Sequence, residues 1–99
     1  MAIKESKDGS TYTFVLQGRL DTTTAPLIEE RFSHISDDIK EVIFDFSDLD
    51  YISSAGLRTL LVLSEIIGED NTLTIKGANE MILDLFYTTG FSEMLNLIQ

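Results

Sequence analysis

The segment Glu41-Val42-Ile43-Phe44-Asp45-Phe46 constrains this chain more than any other. Its unbroken Val42-Ile43-Phe44 run suits a central strand buried on both faces, and such a strand needs a neighbour on each side. The first neighbour is legible upstream. In residues 11–20, TYTFVLQGRL, the apolar Tyr12, Phe14, Leu16 and Leu20 share one parity while Thr11, Thr13 and Gln17 share the other, the period of a strand. Asp8-Gly9 just before it is a dipeptide suited to the positive φ angles of a tight hairpin, which pairs residues 2–7 antiparallel with this strand.

Between these strands lies a helix expected over residues 24–35. Thr22, Thr23 and Thr24 offer capping oxygens, Pro26 falls in the first turn where its missing N–H costs nothing, and Glu29 and Glu30 suit the positive end of the dipole. Ala25, Ile28, Phe32 and Ile35 recur at helical spacing. Residues 54–67, 72–76 and 79–89 repeat helix, strand and helix, with Gly77 closing the strand and Gly90 at the last helix's C-cap. The tail FSEMLNLIQ is apolar enough to dock, as a short helix or as an edge strand. Strands alternating with helices require crossovers, hence a partly parallel sheet, and the opening hairpin adds an antiparallel edge. The expected fold class is therefore α/β: a small mixed β-sheet opening with an antiparallel hairpin, then alternating helices and strands. Ninety-nine residues suit one domain, 1–99, which buries roughly 60 to 65% of its extended-chain surface without staples.

Charge and composition narrow the chemistry. Seventeen acidic residues against seven basic ones give a net charge of −10, which repels nucleic-acid phosphates and anionic membranes, so neither is an expected partner. No signal-like apolar run opens the chain at MAIKESKDG and no membrane-length one follows, so the expected location is the cytoplasm. Cysteine is absent and His34 is the single histidine, which removes thiolate metal sites, Cys-His nucleophiles and two-histidine relays. No metal and no cofactor is expected. His34, beside the apolar stripe of the first helix, reads as a surface or half-buried residue.

Asp45, Asp48 and Asp50 follow the buried strand, where open α/β sheets place ligand sites. A calcium loop counted from Asp45 or Asp48 lacks the required Gly and Glu, so both registers fail. A phosphoacceptor Asp45 of receiver type lacks its acidic pair and its lysine, and a phosphatase nucleophile lacks a second aspartate because that position is Ser47. What remains is a solvated acidic turn. No G-x-x-x-x-G-K-[ST] or G-x-G-x-x-G cradle is present. Ser53 and Ser54, in contrast, stand where the chain enters a helix. A serine there caps the first turn, and its hydroxyl is also placed where orphan N–H groups and the dipole accept a phosphate.

The motifs extend beyond that pair. Gly18-Arg19-Leu20-Asp21-Thr22-Thr23-Thr24-Ala25 matches a G-x-L-D-x-x-T-A pattern, Asp45-Phe46-Ser47-Asp48-Leu49 follows a strand, and Ile52-Ser53-Ser54-Ala55-Gly56-Leu57 comes next, with Phe86 and Gly90 late in the chain. In this order and spacing, from about residue 9 to residue 95, the chain resembles a STAS domain of the anti-sigma factor antagonist family. That resemblance implies a STAS-like fold, no enzymatic activity and a phosphoacceptor serine two residues before the glycine, which is Ser54. Ser53, standing where the family often has Asp, is the alternative acceptor. It further implies that the unphosphorylated form binds an anti-sigma factor that is also a serine kinase, releasing a sigma factor, and that phosphorylation switches binding off. A serine phosphatase acting on the phosphorylated form is the second implied partner. The alternative is a STAS subunit of a transporter or sensory signalling complex.

The partner surface this implies takes in Asp21, Thr22, Ser53, Ser54, Ala55, Gly56 and Leu57. On the helical wheel of residues 55–67, Leu57, Leu60, Leu63, Ser64 and Ile67 gather on the core side, whereas Arg58 and Glu65 mark the other. Val62 and Ile66 fall near that outer side, so Arg58, Val62 and Ile66 are expected to form an apolar-centred edge of the partner site with Ser54 at its end.

Overall fold

A computed structural model describes residues 1–99. Strand β1 (Ala2–Asp8) turns back at Gly9, whose φ of +62° lies in the left-handed region that glycine enters without penalty, and pairs antiparallel with β2 (Thr11–Leu20). Helix α1 (Ala25–Phe32), β3 (Glu41–Ile52), α2 (Ser54–Ile67), β4 (Thr72–Lys76) and α3 (Glu80–Thr89) follow in alternation. The tail holds both of its expected forms in succession, a 3-10 turn over Phe91–Glu93 and an edge strand β5 (Asn96–Ile98). Strand order is β1-β2-β3-β4-β5, with every pairing after the first hairpin parallel.

Because all three crossovers step the same way across the sheet, their right-handedness puts α1, α2 and α3 on one face. Burial along the strands agrees: Phe14 and Leu16, Val42, Phe44 and Phe46, and Leu73 and Ile75 are buried with the helices' apolar stripes in one cluster. The expectation that Val42-Ile43-Phe44 is buried on both faces is corrected here. Ile43 points to the helix-free face and is half-buried. Thr74, also on that face, is buried by its neighbours: its hydroxyl donates to Glu41 Oε2 at 3.0 Å and accepts from Asn96 Nδ2 at 3.0 Å.

Two elements differ in extent from the sequence expectation. Helix α1 ends at Phe32 rather than residue 35, and the Ser33 hydroxyl bonds the Glu30 carbonyl, a local competitor to further helix. His34 therefore lies beyond the helix, exposed, with Nε2 3.0 Å from Glu30. Strand β3 runs on to Ile52, so the acidic segment is not a turn. It stays paired to β2 through two register shifts: Val15 and Gln17 face Asp45 and Asp48, and Gly18 and Arg19 face Leu49 and Tyr51. At the first bulge Asp45 Oδ1 accepts from Ser47 N at 2.9 Å and from Ser47 Oγ at 2.6 Å. Burial alone raises the Asp45 pKa, but these bonds and nearby Lys76 outweigh it and hold the carboxyl below its ordinary value. Asp48 and Asp50 are exposed, as a solvated acidic surface requires.

Candidate partner-binding and phosphorylation site

Leu20 and Ile52, the last residues of β2 and β3, are register partners, so the chain leaves both strands at the same edge of the sheet. That edge is the carboxyl end of the parallel strands, where open α/β sheets place their sites. Ser53 N donates to Leu20 O at 2.9 Å, joining the start of α2 to the end of β2. Gly56, one turn into α2, sits directly over this junction. A Cβ there would lie 2.8 Å from Leu20 O and 2.8 Å from Ile52 Cγ1, distances that only glycine avoids. The glycine thus lets the helix N-terminus press onto the strand ends, and Leu57 beside it is buried.

The adjacent serines do different work. Ser53 is the N-cap of α2: its Oγ accepts from Gly56 N at 3.3 Å, and it is half-buried. Ser54, the first helical residue, is exposed, and its hydroxyl has no intramolecular partner. Ser54 lines a shallow cleft of about 330 Å³ between the starts of α1 and α2, together with Thr22, Pro26, Glu29, Ala55 and Arg58. Arg58 stands one turn after Ser54, exposed and outside all four ion pairs of the molecule.

Asp21 is not in that cleft. Its Oδ1 accepts from Thr23 Oγ1 at 2.8 Å, Thr23 N at 3.0 Å and Thr24 N at 3.2 Å, while Thr24 Oγ1 accepts from Asp21 N at 2.8 Å. The Asp21 carboxylate and the Thr24 hydroxyl thus satisfy each other's amides in the turn that leads into α1, whose own N-cap, Thr24, makes no side-chain cap bond. The Thr23 hydroxyl first, and then the two amides, hold the Asp21 pKa below its ordinary value. Nor do Glu29 and Glu30 lie in the first turn. Glu29 instead reaches across to α2, where it accepts from Thr59 Oγ1 at 3.3 Å. Thr59 is buried, a core position that the leucine stripe of α2 did not reveal.

Val62 and Ile66 open onto a different depression, a groove of about 620 Å³ between α2 and the segment after α1, floored by Phe32 and Ile39 and walled by Ile35. Glu29 lines both the cleft and the groove. A further pair was not evident from sequence: the Arg19 guanidinium lies 4.3 Å from the Tyr51 ring centre and 3.7 Å from Asp21 Oδ2, which ties the bulged end of β3 to the Asp21 loop. Only their register across a bulge brings them together. No group of three or more metal-ligating side chains occurs, and no helix is long and apolar enough to cross a membrane.

Residues 2–99 match the family model described as STAS domain. The chain belongs to the STAS domain family. No curated protein sequence matches this STAS domain. By structure it is similar to an anti-sigma factor antagonist from Mycobacterium paratuberculosis, with a TM-score of 0.87 at 18% identity over 98% of this chain and 84% of that one. It is similar to the Bacillus cell fate determinant SpoIIAA in its phosphorylated form, with a TM-score of 0.71 at 17% identity over 99% and 92%. It is also similar to the STAS domain of a SulP transporter from Vibrio cholerae, with a TM-score of 0.75 at 15% identity over 95% and 77%. At these identities the likeness is one of fold, shared by anti-sigma factor antagonists and transporter STAS domains.

Proposed function

We propose that this STAS domain is an anti-sigma factor antagonist: unphosphorylated, it binds an anti-sigma factor that is also a serine kinase and so frees a sigma factor, and phosphorylation of Ser54 ends that binding. The observation that carries the reading is the division between the two serines. Ser53 is engaged as a cap, whereas Ser54 offers an exposed, unbonded hydroxyl at the mouth of a cleft. A phosphate there brings about −1.5 to −2 of charge, which the amides and dipole of α2 accommodate without refolding. The added charge and the desolvation of a dianion oppose any partner that had docked on a neutral hydroxyl. The structural likeness to a phosphorylated SpoIIAA supports the same reading. The chain then acts as substrate and ligand, with the chemistry supplied by the kinase and reversed by a serine phosphatase, in the cytoplasm and as one domain.

Pull-downs with wild type and Ser54→Asp test this. Recovery of a kinase-type anti-sigma factor by wild type alone is expected, and equal recovery by both proteins would refute the switch. The likeness to the Vibrio cholerae transporter domain favours a second reading, a subunit of a transporter or sensory complex. Recovery of transport subunits with both proteins would establish it. With the kinase and ATP, fragment mass spectrometry should place the phosphate on Ser54, and modification lost in Ser53→Ala but kept in Ser54→Ala would reassign it.

A further inference from the structure

The groove lined by Val62 and Ile66 shares only Glu29 with the Ser54 cleft and has its own chemistry. Its floor is core: Phe32 and Ile39 are buried. Ile66 is 65% exposed and Val62 37%, four residues apart on one helix face, and half-buried Ile35 stands across from them. A trough with apolar walls and a core floor takes the apolar stripe of an amphipathic helix. Glu29 and Asp37 are the charged residues of its lining, and no lysine or arginine lines it. Of the basic side chains on the elements around it, Lys7 pairs with Asp38 and Arg31 with Glu5, whereas Lys40 and Arg58 are exposed, outside the ion pairs and outside the lining.

We infer that this groove is a docking site for a basic amphipathic helix of a protein partner. Charge complementarity selects that occupant. A second copy of this chain would bring a net charge of −10 and its own Glu29 and Asp37 against the same carboxylates, and an anionic lipid surface is repelled likewise. A helix with lysines or arginines flanking an apolar stripe satisfies the walls and both acids together. The inference rests on and deepens the anti-sigma factor reading, because Glu29 joins the groove to the cleft while its apolar walls lie farther along α2. Val62 and Ile66 lie eight and twelve residues along α2 from Ser54, roughly 12 and 18 Å at about 1.5 Å per residue. Both distances exceed the Debye length of about 8 Å at physiological salt, so the apolar walls are largely screened from a phosphate on Ser54, and Glu29 is the one lining residue through which the two depressions touch.

The probe is a synthetic Leu/Lys peptide with leucines at helical spacing, compared with a scrambled peptide of the same composition and a striped Leu/Glu peptide, by fluorescence anisotropy and methyl NMR. The striped Leu/Lys peptide is expected to bind at least ~10-fold tighter than either control and to shift the Ile35, Val62 and Ile66 methyls. Ile66→Lys should weaken it by ~10-fold, with Asp37→Lys as a second variant on an exposed residue of the opposite wall, while Ser54→Asp changes it by less than ~3-fold. Equal binding of striped and scrambled peptides, shifts confined to the cleft, tight binding of the Leu/Glu peptide, or self-association lost in Ile66→Lys would each overturn the inference. Loss of the kinase in Ser54→Asp with peptide binding intact sustains both readings. Peptide binding with no kinase dependence on Ser54 removes only the first.

Discussion

Gly56 governs how closely α2 can approach the strand ends. In an exposed helix a Gly→Ala change gains about 1 kcal/mol, but here the new methyl meets a backbone carbonyl at 2.8 Å, and backbone at a paired strand end cannot step aside. Gly56→Ala is therefore expected to reverse the usual sign and cost about 1 to 3 kcal/mol, measured by chemical denaturation. The neighbouring serines separate in the same assay. Ser53→Ala loses the α2 cap and should cost about 0.5 to 2 kcal/mol, whereas Ser54→Ala, with no bond to lose, should stay within about 0.5 kcal/mol of wild type. Equal losses in the two variants would mean that Ser54 is a structural residue.

At the scale of elements, the loop between β2 and α1 depends on one carboxylate. Asp21 holds two amides and the Thr23 hydroxyl, and as an anion it is the better acceptor. Its folded pKa is depressed, as are those of Asp45 and Asp38, the latter by Ser36 first and then Lys7. Over the range between the folded and unfolded pKa values the unfolded chain binds more protons, so these groups stabilise the fold above the unfolded value, about 3.9, and that contribution is lost as pH falls through the folded values. The melting temperature should thus be level above about pH 5 and fall below about pH 4. Asp21→Asn is expected to melt lower at neutral pH and to show a shallower acid decline. An acid decline parallel to that of wild type would show that Asp21 contributes nothing to it.

For the whole molecule, the one-sided placement of the helices makes adjacent residues of β3 unequal. Phe44 is fully buried beneath them and stacks on Phe14 with ring centres 5.0 Å apart, whereas Ile43 lies half-buried on the helix-free face. Phe44→Ala should cost about 3 to 5 kcal/mol through the cavity it leaves. Ile43→Thr, which keeps β-branching on a partly wet surface, should cost at most about 1 kcal/mol. Comparable losses in denaturation would mean that a further layer covers that face.

The kind and order of the elements are local properties, because hydrophobic period, turn dipeptides and helix starts act over a few residues. TYTFVLQGRL, the Asp8-Gly9 turn and the leucines of α2 carry that information locally, and the spaced motifs around Asp21, Asp45 and Ser54 carried the STAS resemblance. What depends on distant partners was settled only in three dimensions. The acidic segment after Phe46 remains strand because β2 lies beside it to pair through two bulges, and Ile43 faces away from the core because every crossover steps in one direction. Ser53 and Ser54 are nearly equivalent as letters; they differ because Leu20 O and Gly56 N fix the first as a cap and leave the second facing Thr22 and Glu29 across a cleft. Val62 and Ile66 likewise read as an outer edge on a wheel, and become a groove wall only because α1 stops at Phe32 and the following segment brings Ile35 alongside α2. Short-range preferences set what each segment is, while burial, strand pairing and crossover handedness, which join residues far apart in the chain, set what each segment faces.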